Sequence, residues 1–368
     1  MPSTETITEM LLSQKNPIRC TDGKYYPENS KISPGAVLEG YGQRVLVFLH
    51  KIKTEISRYY ANTRPTNYED LYYIAKQIHD SEVREYDNPV VQAFIDKIMP
   101  EITSVLSNKQ DEWRLSRLAD EAMLYIEWEL WRLLSKKPSH LENLCCIKDA
   151  CQDNQVSTVD IFTLNHDTVL ESYLLQNNIE FVDGFGTLDN EVRYWNEILF
   201  ENLSSKVRFF KLHGSVNWFK FTSDDGKNES VTCINHWDIW HTRNPAGYLQ
   251  TPSPSRPMIL AGTFNKMMAY THDIYADLYC RFQQSLHQTS RLLMIGYGFA
   301  DKGINSQFLE WLFSSENRAV IVNPKPEHHA RHAIIKNWEE LVNHRKIILI
   351  PKVIEATSWQ EIKEFLFE

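Results

Sequence analysis

Residues 158–178 read TVDIFTLNHDTVLESYLLQNN. The first seven are β-branched or apolar around one aspartate, the composition of a short, largely buried strand. After Asn165 the period changes: Val169, Leu170, Tyr173 and Leu174 share one face at three- and four-residue spacing, which predicts an amphipathic helix. A strand, a polar loop and a helix in one short stretch make half of a βαβ unit. The pattern repeats downstream with the strands VRFFKL (207–212), RLLMI (291–295), RAVIV (318–322) and KIILI (346–350). Helices are predicted over 274–286, 305–313, 329–342 and 358–368. Alternation of this kind predicts an α/β fold with a doubly wound parallel, Rossmann-like sheet.

Upstream the pattern is different. TETITEMLL (4–12) predicts one helix capped by Ser3 or Thr4, followed by a turn-rich stretch to about residue 35. From Ala36 to Ala150 apolar residues recur at helical spacing almost throughout, punctuated by Pro65, Pro89, Pro100 and Pro138. Tyr72, Tyr73, Trp128 and Trp131 lie at that spacing and read as core or interface residues, not as a base-stacking platform. The expected organisation is an N-terminal segment (1–35), a large helical region (36–152) and an α/β core (153–368).

Apolar residues make up 42% and charged residues 24% of the 368 positions, the balance of a water-soluble globular chain. The net charge of −9 without a Lys/Arg block argues against a surface that binds duplexes by neutralising phosphates. No apolar run is long enough to span a bilayer, and MPSTETITEMLL lacks the basic start and apolar core of a secretory signal. A cytoplasmic location is expected, with no membrane partner. The six scattered cysteines form no C-x-x-C pair and read as reduced thiols.

In a parallel sheet the strands' carboxyl ends open onto one edge, where ligands bind. Here those ends carry Thr163, Asn165 and Asp167; His213, Gly214 and Ser215; Gly296, Tyr297 and Gly298 with Asp301 and Asn305 after them; and Asn323. Each has a plain structural alternative: Asn165 a tight turn, Asp167 a helix cap, the glycines close packing. His236 and His241, and His328, His329 and His332, resemble metal clusters, but neither group has the three or four supported ligands of a real site. No metal is expected.

Four segments in order, TLNHDTVLE, VDGFG, KLHGSVNW and GYGFADKGIN, are similar to T-T-N-Y-D-x-x-L-E, D-G-F, K-L-H-G-S-x-x-W and G-Y-S-F-x-D-x-x-I-N. These are motifs of the sirtuin-like domain of bacterial antiphage defence systems, a sirtuin fold without the deacetylases' zinc ribbon, which the chain resembles over roughly residues 155–325. The resemblance implies an NAD hydrolase releasing nicotinamide and ADP-ribose, with Asn165 and His213 as catalytic pair. It places Thr163, Asp167, Gly214, Ser215, Gly296, Tyr297, Asp301, Asn305 and Asn323 around NAD. It also implies a homo-oligomer and a partner such as a HerA-type ATPase. The alternative is a catalytically inactive scaffold subunit that binds NAD or ADP-ribose. Deacetylation is not expected without the ribbon. His166 replaces the motif's tyrosine. The family pattern opens with a strand running into G-A-G-x-S, whose glycines and helix N-terminus receive the pyrophosphate. Met1 to Glu5 resembles the segment after it, so that glycine-rich strand is expected to be missing. Gly40-Tyr41-Gly42 is not read as its substitute, because no strand is expected before it.

Overall fold

The computed structural model describes residues 3–367 apart from 62, 86–87, 109–110, 137–140, 190–191, 203, 223–228, 235–238, 254–255, 263–264, 315 and 326–337. Pro138, Asn235, His236, His328, His329 and His332 therefore lie outside the described residues. Contacts divide the chain into two compact units. One comprises Met1–Lys136, Asp189–Val192 and Ser215–Asn265; the other Lys137–Leu188, Arg193–Gly214 and Lys266–Glu368. This differs from boundaries at 35 and 152, because the N-terminal segment is tied to the helices by buried polar contacts. The Tyr125 hydroxyl donates to Leu11 O at 2.6 Å, and both Arg19 and Tyr25 bond the Glu121 carboxylate.

The first unit is built on helices α1 (Thr4–Leu12), α2 (Tyr41–Tyr60), α3 (Tyr68–Val83), α4 (Pro89–Leu106) and α5 (Leu115–Leu134). Ser3 caps α1, its Oγ accepting the Thr6 N–H at 3.2 Å. Pro89 starts α4 where a missing N–H costs nothing, whereas Pro100 lies inside that helix and does not end it. Trp128 is buried in α5, whereas Tyr72, Tyr73 and Trp131 are half-buried. The polar stretch after residue 217 holds an antiparallel hairpin, with Trp218–Thr222 paired to Glu229–Ile234.

A two-residue strand, Val37–Leu38, does precede Gly40-Tyr41-Gly42, which corrects the reading of that segment. It is antiparallel to Ile18–Cys20; Gly40 takes a left-handed φ of 77°, and Gly42 packs closely on Pro17. A Cβ on Gly42 would stand 1.8 Å from Pro17 O. Gly42→Ala is therefore expected to lose about 2 kcal/mol in urea unfolding, the cost of forcing backbone apart in a packed site.

The second unit carries the parallel strands β1 (Val159–Thr163), β2 (Val207–Lys211), β3 (Arg291–Ile295), β4 (Arg318–Val322) and β5 (Ile347–Ile350). Helices α6 (Cys145–Gln152), α7 (Val169–Gln176), α8 (Asp273–Gln288), α9 (Lys302–Leu312) and α10 (Trp359–Phe367) pack around them. The α/β class and the parallel sense hold. The single doubly wound sheet does not: among the described residues β1 pairs only with β2, and β3–β4–β5 form a second sheet. No described strand joins the outer edge of β1 or of β3, and a sheet is continuous only where one strand's N–H and C=O row meets the next. Burial records the difference. β4 is buried over Ala319–Val322, while β1, of similar composition, is half-buried along its length.

Shared layers tie the two sheets together. Ile147 of α6 packs against a cluster on Val320, Val322 and Ile350 and against another on Val207 and Phe209. Phe282 of α8 meets Phe162 of β1 at 5.1 Å, and Ser285 donates to Asp160. Amides of β4 are therefore expected to exchange with solvent far more slowly than outward amides of β1 and β3, measurable by hydrogen exchange.

Candidate functional site

β1 ends where Thr163 Oγ1 accepts the Asn165 N–H at 3.1 Å, which turns the chain and leaves Asn165 exposed. Asp167 is buried and its Oδ1 accepts the Val169 N–H at 3.0 Å, starting α7. The neighbouring strand end is locked to this loop. Leu212 N–H donates to Thr163 O, and Lys211 Nζ donates to Asp167 O and pairs with Glu171 Oε1 at 2.9 Å. Two segments that looked independent in sequence thus close on each other through a buried lysine.

His213 follows, 3% exposed. Gly214 then takes φ 75°, a left-handed conformation that disfavours a side chain, and its N–H turns back to Lys211 O at 3.1 Å. The strand therefore delivers one imidazole and stops. Its Nε2 lies 2.8 Å from the Tyr270 hydroxyl and 2.9 Å from Asp301 Oδ2, and Tyr270 also donates to Oδ2 at 2.9 Å. The other oxygen, Asp301 Oδ1, accepts the Ile304 N–H at 3.0 Å and caps α9. Tyr270 is stacked on Tyr279 at 4.4 Å, and Tyr279 donates to Gly303 O. One carboxylate thus anchors a helix with one oxygen and an imidazole with the other.

Electrostatics follow from burial. Burial pushes the Asp301 carboxyl up, but His213, the Ile304 N–H and Tyr270 outweigh it and hold the group at about 2. Burial raises Tyr270 far above the ordinary tyrosine range, with Asp301 adding to it, so the phenol stays protonated. His166, its ring 6.1 Å from that of His213, is pushed well below the usual imidazole value by burial and then by His213, Lys266 and Lys211. It is neutral at pH 7.

The other expected positions form the loop after β3. Gly296 N–H donates to Val322 O at 2.9 Å. Tyr297 donates to Asn305 Oδ1 at 2.8 Å, Asn305 Nδ2 donates to Phe299 O at 2.8 Å, and Asn323 Nδ2 to Tyr297 O at 3.3 Å. These polar groups hold the loop in shape, and Phe299 accepts a φ of 55° within it. A Cβ at Gly296 or Gly298 would meet nothing within 4 Å, so backbone there is open to a ligand. Ser215 belongs to the other unit, where it is fully buried and its N–H donates to Met258 O.

Sequence reasoning missed Tyr270, which sits in NKMMAYTHD outside every motif, and the pairing of Lys211 with Glu171, which lie in separate motifs. Among the described residues no three His, Cys, Asp or Glu gather as a metal site, and no helix is long and apolar enough to cross a membrane. The six cysteines are free thiols; Cys146 and Cys151 are pushed up to about 11 by burial.

A parallel α/β unit with an imidazole, an amide and a glycine-bearing loop at strand carboxyl ends has the layout of a nucleotide-binding domain. The family model for the SIR2-like domain matches residues 159–344, half of the chain, and spans all of these groups. The chain belongs to the SIR2-like domain family. SIR2-like domains bind NAD, and the family includes NAD-dependent enzymes. No curated protein matches the chain.

Proposed function

We propose that this protein hydrolyses NAD to nicotinamide and ADP-ribose, with Asn165 and His213 as the catalytic pair. The observation that carries the reading is His213 at the end of β2, its Nε2 held by Asp301, beside the β1 end that presents an exposed Asn165. Cleavage breaks the C1′–N bond, and the bonding pair neutralises the pyridinium as nicotinamide leaves. Positive charge builds on the ribose in an oxocarbenium-like transition state. Water adds at C1′, the Asn165 amide orients it or a ribose hydroxyl, and His213 takes the proton released. Thr163, Asp167, Gly214, Gly296, Tyr297, Asp301, Asn305 and Asn323 surround the dinucleotide or shape its loops in this reading. Depletion of NAD during phage infection, in the cytoplasm and within a homo-oligomer joined by a HerA-type ATPase, is its cellular counterpart.

The engagement of Tyr297, Asn305 and Asn323 with their own loop favours a second reading, a scaffold subunit that binds NAD or ADP-ribose without cleaving it. Chromatographic assay of nicotinamide from NAD incubated with the purified chain separates the two. Equimolar nicotinamide and ADP-ribose are expected. Calorimetric NAD binding with no nicotinamide, for the chain alone and with candidate ATPases, would replace hydrolysis by the scaffold reading.

A further inference from the structure

We infer that Asp301 and Tyr270 are positioning residues for His213, fixing its ring in the tautomer that carries the proton on Nε2 and the lone pair on Nδ1. The inference rests on the hydrolytic reading for its purpose and on geometry for its content. Nε2 is 2.9 Å from Asp301 Oδ2. An ionised carboxylate only accepts hydrogen bonds, so the nitrogen facing it must bear hydrogen. Asp301 is held ionised, and Tyr270 donates to the same Oδ2, leaving the Tyr270 oxygen to accept.

Tyr270 is itself fixed. It stacks on Tyr279, and Gly303 Cα lies so close that a Cβ there would stand 3.0 Å from the Tyr270 ring. Asp301 is fixed by the helix it caps. Imidazole, phenol and carboxylate therefore form a closed triangle with edges of 2.8, 2.9 and 2.9 Å, built from the ends of β2 and β3 and from the segment before α8. Asp301, Tyr270 and the neutral His166 are among the groups that face the ring. In this arrangement the proton taken from water lands on Nδ1, and the imidazolium so formed is stabilised by Asp301 across the ring. This is the use of a buried carboxylate to orient a catalytic base, and it assigns Asp301 to the histidine, not to the dinucleotide.

The test is Asp301→Asn, which retains a good helix N-cap and so separates positioning from folding. Nitrogen-15 NMR of labelled protein reads the tautomer without turnover. Wild type is expected to show the Nε2–H form. In Asp301→Asn the amide NH₂ turns to the ring as donor, and the signature is expected to move toward Nδ1–H, with nicotinamide release down about 10³-fold or more at little changed KM. Tyr270→Phe, which keeps the carboxylate, is expected to retain the Nε2–H signature and to lose less than about tenfold in kcat. A wild-type Nδ1–H signature, or one that Asp301→Asn leaves unchanged, overturns the inference. Absence of nicotinamide release with the expected tautomers would instead count against hydrolysis alone.

Discussion

His213→Ala is expected to lower nicotinamide release by about 10²–10⁴-fold, the usual contribution of a positioned general base, with a much smaller change in KM for NAD. Asn165→Ala is expected to lose about 10²-fold, since an exposed amide orients a reactant and carries no proton. The larger effect belongs to His213 because β2 and the left-handed turn at Gly214 deliver one titratable group, and Asp301 and Tyr270 hold it. A stability change accompanies the loss of activity. The Asp301 carboxyl stays near 2 because His213 and its other partners outweigh burial. A carboxyl depressed in the folded state stabilises above its unfolded value, near 4, and that stability is lost as pH falls through the folded one. The part of the His213→Ala deficit that comes from Asp301, on the order of 1–2 kcal/mol at pH 7, is therefore expected to shrink as pH falls from about 4 towards 2, leaving the loss of packing. Unfolding curves at neutral pH show how much of the variant is folded in the assay. More than a tenth of wild-type turnover in a folded His213→Ala protein would remove His213 from the chemistry.

What the sequence disclosed follows from the range of the signals involved. β-branched runs such as RAVIV and VRFFKL lie where strands form, because their own composition asks for burial. His213 was visible because a strand end, an imidazole and a glycine are adjacent in the chain. Tyr270 was not visible. It reaches His213 over 57 residues, and nothing in NKMMAYTHD marks it. The split of the sheet was equally hidden: each strand reads the same whether its edge is paired or open, and pairing is a property of distant segments. The hairpin after residue 217 was a different case. Asp225-Gly226 stands between WFKFT and ESVTCI, a turn signal in the sequence between two alternating runs. Asp301 was legible as important but not in its role, since only the fold turns its Oδ2 toward the imidazole.

Lys211→Met is expected to cost about 3 kcal/mol at pH 8, more than any other single change considered for the fold. The lysine is 3% exposed at its side chain and bonds both Glu171 Oε1 and the Asp167 carbonyl. Removing it strands a carboxylate whose other oxygen is buried without a hydrogen-bond partner among the described residues. Burial raises the Glu171 pKa, and Lys211 is the first group opposing that rise. Without Lys211 the group is pushed further toward its neutral form. Breaking a buried pair on one side is costly for this reason, while removing both partners is not. The sign of the pH dependence follows. A carboxyl raised in the folded state retains full stability below its unfolded value and loses it as pH rises through the folded one. The Lys211→Met deficit should therefore be clearly smaller at pH 5 than at pH 8, and Lys211→Met/Glu171→Gln should recover most of it. Equal deficits at both pH values, or no recovery in the double variant, would show that packing of the lysine stem matters more than its charge. Because Lys211 also ties the β1 loop to the strand bearing His213, the single variant should lose nicotinamide release even where it remains folded.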